Sequence, residues 1–147
     1  MAGDLLSDAL TGKEFNQWYE LNEWFKCFVL PFSEKTLGFR VKPELKLFGG
    51  PLEKRACGAV GIKDGYIGVS LKYFRDVVNG RQRGGVTELR DTVVHEMAHL
   101  IARPKTEGDG HTREWREVYQ KLRPLRRASY SLFAELSGQE PLAPRDL

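Results

Sequence analysis

Residues 95–99 read His95-Glu96-Met97-Ala98-His99, and the helix that this stretch requires organises the reading of everything around it. In an α-helix positions i and i+4 lie one turn apart on the same face, so the imidazoles of His95 and His99 can both reach one zinc ion. Glu96, next to the first histidine, then stands beside the ion's open position. Zinc lowers the pKa of a water it holds from about 15.7 towards about 7, and a carboxylate there can take the proton as the water attacks a carbonyl. The chemistry implied is metal-assisted amide hydrolysis with Glu96 as the base. A catalytic zinc needs a third protein ligand. Of the three histidines in the chain His111 is the one left, separated from His99 by the eleven residues 100–110. Gly108 and Gly110 in that connection supply the chain reversal that brings a third imidazole back.

Two other readings compete. In the first, the histidines are incidental residues on a helix surface; the flanking Val93, Val94, Leu100 and Ile101, and a further histidine after a glycine turn, weigh against it. In the second, the zinc only locks the fold. A structural site is usually closed by a fourth protein ligand, and Cys57 is the candidate, although a small thiol beside Gly58 is also an ordinary core residue. Glu96 separates the two, because a structural site has no use for a base.

Working outward, Thr87 is a plausible N-cap for a helix running to about Ala102, with Leu89, Val93, Met97, Leu100 and Ile101 apolar and Pro104 beyond its end. Thr112 caps a second helix whose inward side is Trp115, Val118, Tyr119 and Leu122, ended by Pro124. Upstream, over residues 14–28, Phe15, Trp18, Leu21, Trp24, Phe25 and Phe28 recur at helical spacing and form one wide apolar face, with Pro31 read as the stop. Phe39, Val41, Leu45 and Leu47 alternate with charged residues in the period of a half-buried strand, interrupted at Pro43. Residues 59–62 and 66–71, separated by Lys63-Asp64-Gly65, read as a hairpin, so the expected sheet is small and antiparallel. Ser70 caps a short helix burying Leu71, Phe74, Val77 and Val78. The basic stretch 81–85 is then either an exposed linker or a lid over the cleft.

The chain has 147 residues, 41% hydrophobic and 29% charged, a size and composition for one globular domain and no multidomain enzyme. No apolar run approaches the roughly 20 residues of a membrane span, and the acidic start carries no secretory signal pattern, so the expected location is intracellular, cytoplasmic or nuclear, and not secreted. Two cysteines, Cys27 and Cys57, are too few for a Cys-rich zinc ribbon or a disulfide scaffold. The net charge of +3 argues for nucleic acid only where it clusters. It does so after His111, where Arg113, Arg116, Lys121, Arg123, Arg126 and Arg127 outnumber Glu114 and Glu117. That segment is either a phosphate-contacting surface, with single-stranded DNA as the partner, or a solvated helical face with a basic end favoured by the helix dipole. Tyr66, Tyr73, Tyr119 and Tyr130 are the tyrosines able to stabilise an oxyanion, with nothing to choose between them.

With His95-Glu96-Met97-Ala98-His99, a glycine-containing connection, and then His111-Thr112-Arg113-Glu114-Trp115, the chain resembles the SprT-like family of zinc metallopeptidases. The Trp/Phe-rich first helix ending in Leu30-Pro31, and Arg55-Ala56-Cys57-Gly58 ahead of residues 66–71, look like further elements of that family, over about residues 14–125. The resemblance implies zinc on His95, His99 and His111 with Glu96 catalytic. It also implies an α+β, zincin-like single domain, helices packed on a small antiparallel sheet, over residues 1–127, followed by a tail, 128–147, partly helical or mobile. The function expected is that of a zinc-dependent endopeptidase, with DNA-associated proteins as a substrate class. The alternative is a non-catalytic, zinc-stabilised binding module. The Cys-rich ribbon and the added partner-binding and DNA-binding regions of other members have no counterpart in this sequence.

Overall fold

Thr11 starts the first helix, α1 (Gly12–Trp24), through a reciprocal capping box. Its hydroxyl accepts from the Glu14 N–H at 3.3 Å while the Glu14 carboxylate accepts from the Thr11 N–H at 3.0 Å. Glu14 is buried, and it also meets Arg75 at 3.4 Å and accepts from Asn79 Nδ2 at 3.3 Å. One carboxylate therefore caps α1 and ties it to the third helix. In the computed structural model, residues 10–49, 58–61, 65–102 and 112–128 are described.

Pro31 does not stop the helix. After Trp24 the backbone widens into a π turn, Phe25–Val29, in which the Leu30 N–H bonds to the Phe25 carbonyl five residues back. Proline has no N–H to give and its ring clashes with the carbonyl four residues earlier. A wider turn ahead of it removes that conflict, and the chain continues as α2 (Leu30–Leu37) with Pro31 in its first turn. Gly38, at φ 67°, ends α2 in the left-handed region. The apolar face expected over residues 14–28 is real: Trp18, Leu21, Trp24, Phe25 and Phe28 are buried, and Phe15 alone among the expected set is exposed.

The sheet has three strands, β1 (Glu44–Phe48), β2 (Gly58–Gly61) and β3 (Tyr66–Ser70), in the order β1-β3-β2. It is mixed, which corrects the expectation of an antiparallel sheet. β2 and β3 pair antiparallel, as the hairpin reading requires, with Gly61 opposite Tyr66 and Gly65 at φ 62° in the turn. β1 skips its neighbour in sequence and lies parallel to β3, Leu45 opposite Ile67 and Leu47 opposite Val69. Parallel pairing needs a connection of about a dozen residues or more, and the stretch 49–65 between the two strands is long enough. Residues 39–43 fall outside β1, and Val41 is exposed.

Ser70 caps α3 (Leu71–Val78), accepting from the Tyr73 N–H at 3.1 Å. The long helix α4 (Gly85–Ala102) follows and packs against β2, β3 and α3 on one side and α5 (Arg113–Leu122) and a 3-10 turn (Arg123–Arg127) on the other. Leu89, Val93, Val94, Met97, Ala98 and Leu100 are all buried, so α4 is the centre of the core. The two ends of the described chain meet at Trp24, whose Nε1–H donates to the Leu125 carbonyl at 2.9 Å and whose ring lies under the Arg90 guanidinium at 5.1 Å. No described helix is long and apolar enough to cross a membrane.

Trp24→Phe keeps most of the buried ring and leaves the buried Leu125 carbonyl without its donor, so urea unfolding should show a loss of about 1 to 3 kcal/mol. The Glu14 carboxyl is held below its ordinary 4.5, first by the Thr11 N–H, with Asn79 and Arg75 adding to it against burial. A depressed carboxyl contributes stability that is fully present above the unfolded value and is lost as pH falls through the folded one. Glu14→Gln should therefore destabilise the protein at neutral pH and flatten the acid limb of a stability-against-pH curve below about pH 4.5.

Candidate active site

The i, i+4 spacing of α4 sorts its side chains into faces. Val93, Met97 and Leu100 point into the core, while Asp91, His95 and His99 form a column along a second face, one turn apart. Both histidines are half-buried. Their ring centroids are 4.9 Å apart at 68°. Two imidazoles bound through nitrogen to one tetrahedral zinc, at about 2.0 to 2.1 Å each, have centroids about 5 Å apart. The donor chemistry and the spacing of this pair thus fit a single zinc ion.

α5 covers the histidine column. Thr112 caps it, its hydroxyl accepting from the Trp115 N–H at 3.2 Å, and this fixes the first turn from which Trp115 projects. The Trp115 ring is buried, stacked on His99 at 5.2 Å and 29° and edge-on to His95 at 4.8 Å. Its Nε1–H donates to the His95 carbonyl at 3.3 Å. Tyr119, one turn further on, stacks on Trp115 at 5.0 Å and 9° and lies 5.8 Å from His95. Its hydroxyl donates to Asp91 Oδ1 at 2.6 Å, and the same oxygen meets Arg126 Nη1 at 3.5 Å. The Tyr119 phenol is pushed up to about 12 by burial, with the hydrogen bond to Asp91 and the charge of that carboxylate adding to it, so it stays a donor across the neutral range.

Glu96 lies on α4 between the histidine column and the core face. It is half-buried, and that burial pushes its carboxyl up to about 7. One turn earlier on this side Thr92 shares a hydrogen bond with the Tyr73 hydroxyl at 3.1 Å. Of the four tyrosines considered as oxyanion donors, Tyr73 and Tyr119 thus engage α4 next to Glu96 and His95. Tyr66 packs under Lys46 with its ring 5.2 Å from Nζ, and Tyr130 lies outside the described residues.

His111 and Cys57 also lie outside the described residues. Among the described residues no group of three or more His, Cys, Asp or Glu could hold a metal ion; His95 and His99 are two imidazoles side by side. The residue that follows His111 in the chain, Thr112, begins the helix whose Trp115 lies against both imidazoles.

The basic segment divides in two. Arg116, Lys121, Arg123 and Arg127 are exposed, and Arg113 pairs with Glu117 at 3.2 Å on an open face. Arg126 is turned inward, with 15% of its side chain exposed, against Asp91. Sequence reasoning overlooked Asp91, although its spacing carries a signal: it stands four residues before His95 as Tyr119 stands four residues after Trp115, so both columns reach the same level.

The model of the SprT-like family matches residues 13–132. The chain belongs to that family, and membership suggests a metallopeptidase-type function. No curated protein and no solved structure matches the chain.

A carboxyl raised from 4.5 to about 7 costs the metal-free fold stability where it is ionised. That cost is absent below the unfolded value, grows as pH rises between the two, and is constant above the folded value. Metal-free Glu96→Gln should therefore be more stable than the wild type above pH 7, by about 2 to 3 kcal/mol, with the difference closing below pH 4.5. Thermal unfolding across that range measures it.

Proposed function

We propose that this SprT-like chain is a zinc-dependent endopeptidase in which His95, His99 and His111 hold the metal and Glu96 is the general base. The observation that carries the reading is a half-buried Glu96 carboxyl next to two imidazoles whose centroids, 4.9 Å apart, suit one ion. Zinc, when bound, supplies Lewis acidity, drawing charge from a water and from the scissile carbonyl. The remaining work falls to the chain. Trp115 packs on both imidazoles and excludes water from that side, and Asp91, Tyr119 and the Trp115 N–H hold α5 in register with α4. Glu96 takes a proton from the attacking water as the water oxygen adds to the carbonyl carbon. It returns that proton to the amide nitrogen as the C–N bond breaks.

Metal analysis should find about one zinc per chain, with affinity falling as pH drops through the histidine range because the imidazoles must be neutral to bind. Glu96→Gln should retain zinc and fold while peptide cleavage drops by about 100- to 10,000-fold, and His99→Ala should lose metal and activity together. A wild type that binds zinc and cleaves no peptide, or a Gln variant with unchanged turnover, removes Glu96 catalysis. The first of these outcomes leaves a zinc-stabilised binding module as the function.

The substrate class proposed is protein associated with single-stranded DNA. Supporting it are the exposed Arg116, Lys121, Arg123 and Arg127 and a surface recess of about 400 Å³ lined by Gln120, Arg123, Pro124, Arg126 and Arg127. Binding through phosphates has little base preference and weakens steeply with salt. Replacing Arg116, Arg123 and Arg127 together by Gln spares the Arg126–Asp91 pair, and it should weaken DNA binding and lower the salt slope with zinc content unchanged. Absence of binding by the wild type at low salt would leave the segment a solvated face.

A further inference from the structure

Asp91 holds no metal and takes no part in the proton transfers, yet it is the point at which three elements meet. Its Oδ1 accepts the Tyr119 hydroxyl at 2.6 Å from α5 and faces Arg126 Nη1 at 3.5 Å from the 3-10 turn. Charge-assisted hydrogen bonds of this kind are short and stronger than neutral ones. Asp91 lies one turn before His95 on the same face of α4. Tyr119 lies one turn after Trp115 on α5 and stacks on it at 9°. The Asp91–Tyr119 hydrogen bond therefore ties α5 to α4 one turn away from the place where the Trp115 ring rests against the imidazoles at 4.8 and 5.2 Å.

We propose that Asp91 is a positioning residue for the histidine pair, acting through Tyr119 and Trp115 to fix the orientation of the His95 and His99 rings. The proposal rests on the metal-binding reading for its consequence, since groups that orient ligating histidines typically govern metal affinity by about 10- to 100-fold. It does not rest on that reading for its geometry, which is a property of the metal-free chain. Tyr119→Phe isolates the contact, because phenylalanine keeps the stack on Trp115 and removes only the hydroxyl. Asp91→Ala removes the acceptor altogether, and Asp91→Asn restores an Oδ1 that can accept from the tyrosine.

The experiment uses the full chain and two readouts. The first is the NMR spectrum of the histidine rings in metal-free protein, simple to assign because the chain has three histidines. Tyr119→Phe and Asp91→Ala should shift the His95 and His99 ring signals, and Asp91→Asn should return them towards the wild type. The second is zinc affinity, by competition with a chromophoric chelator. Here the first two variants should bind about tenfold or more weakly, with Asp91→Asn recovering most of the loss. Leu21→Ala, a cavity in the buried face of α1, is the control that lowers stability and keeps the Asp91–Tyr119 contact, and it should leave the affinity unchanged. Ring signals that stay in place in Tyr119→Phe and Asp91→Ala would overturn the proposal, as would an affinity loss in Leu21→Ala equal to theirs. If the wild type binds no zinc, the metallopeptidase reading falls, and the ring spectra alone decide the role of Asp91.

Discussion

The contact of the Trp115 indole with His95 and His99 is the interaction on which the candidate site depends. An i, i+4 pair of histidines on an isolated helix has free rotamers, and a metal that captures such a pair must overcome the entropy of ordering both rings. Here one buried aromatic ring lies against both imidazoles, and its Nε1–H is tied to the backbone carbonyl of His95 at 3.3 Å. Thr112 fixes the turn from which that ring projects, and Tyr119 backs its other side. The order of the site is thus set by α5 packing on α4 before any ligand arrives. The same surface keeps water off one side of the imidazoles, which strengthens the electrostatic interactions formed there.

The helices were the most legible part of the fold, and for a definite reason. Over α4 and α5 the apolar residues repeat at helical spacing, and α3 and α5 have side-chain caps, so Ser70, Thr112 and the buried Met97, Leu100, Trp115 and Leu122 could be read locally; α4 instead starts at Gly85, which leaves Thr87 inside the helix and not at its cap. Pro31 was misread because a proline's effect depends on the turn that precedes it, and nothing in Phe25-Lys26-Cys27-Phe28-Val29 announces a π turn. The sheet was half legible. An Asp-Gly turn specifies its own hairpin, whereas β1 joining the far edge of β3 is a choice between partners distant in sequence, decided by burial of Ile67 and Val69 on the central strand. In the site, the two histidines and Glu96 follow from spacing alone. Asp91 stayed hidden because its partners, Tyr119 and Arg126, lie 28 and 35 residues away, and only docking of the helices brings them together.

Counting basic residues treated the segment after His111 as uniform, and packing divides it. Arg126, with 15% of its side chain exposed, has a carboxylate within 3.5 Å, and a charge so enclosed gains more from a fixed partner than from a mobile phosphate screened by salt. Arg123 and Arg127, on either side of it in sequence, stay exposed and keep their hydration until something binds. A 3-10 turn has about three residues per turn, so the adjacent Arg126 and Arg127 diverge in direction. This lets Arg126 serve the interior while Arg127 remains available to an anion.

Glu96 shows how the rest of α4 bears on its chemistry. A carboxyl near 7 arises from desolvation, and desolvation is the work of neighbouring side chains that exclude water. On the adjoining face of the same helix stand the core residues Val93, Met97 and Leu100, each essentially inaccessible. Burying an aliphatic side chain of this kind stabilises the fold by about 1.5 to 3 kcal/mol, so together they more than offset what one half-buried carboxyl costs. The arrangement also explains why the glutamate adjoins the first histidine. One residue later, at Met97, or two earlier, at Val94, it would point into the core and face the full cost of burial. At 96 it lies at the boundary between the core face and the histidine column, half-buried rather than enclosed.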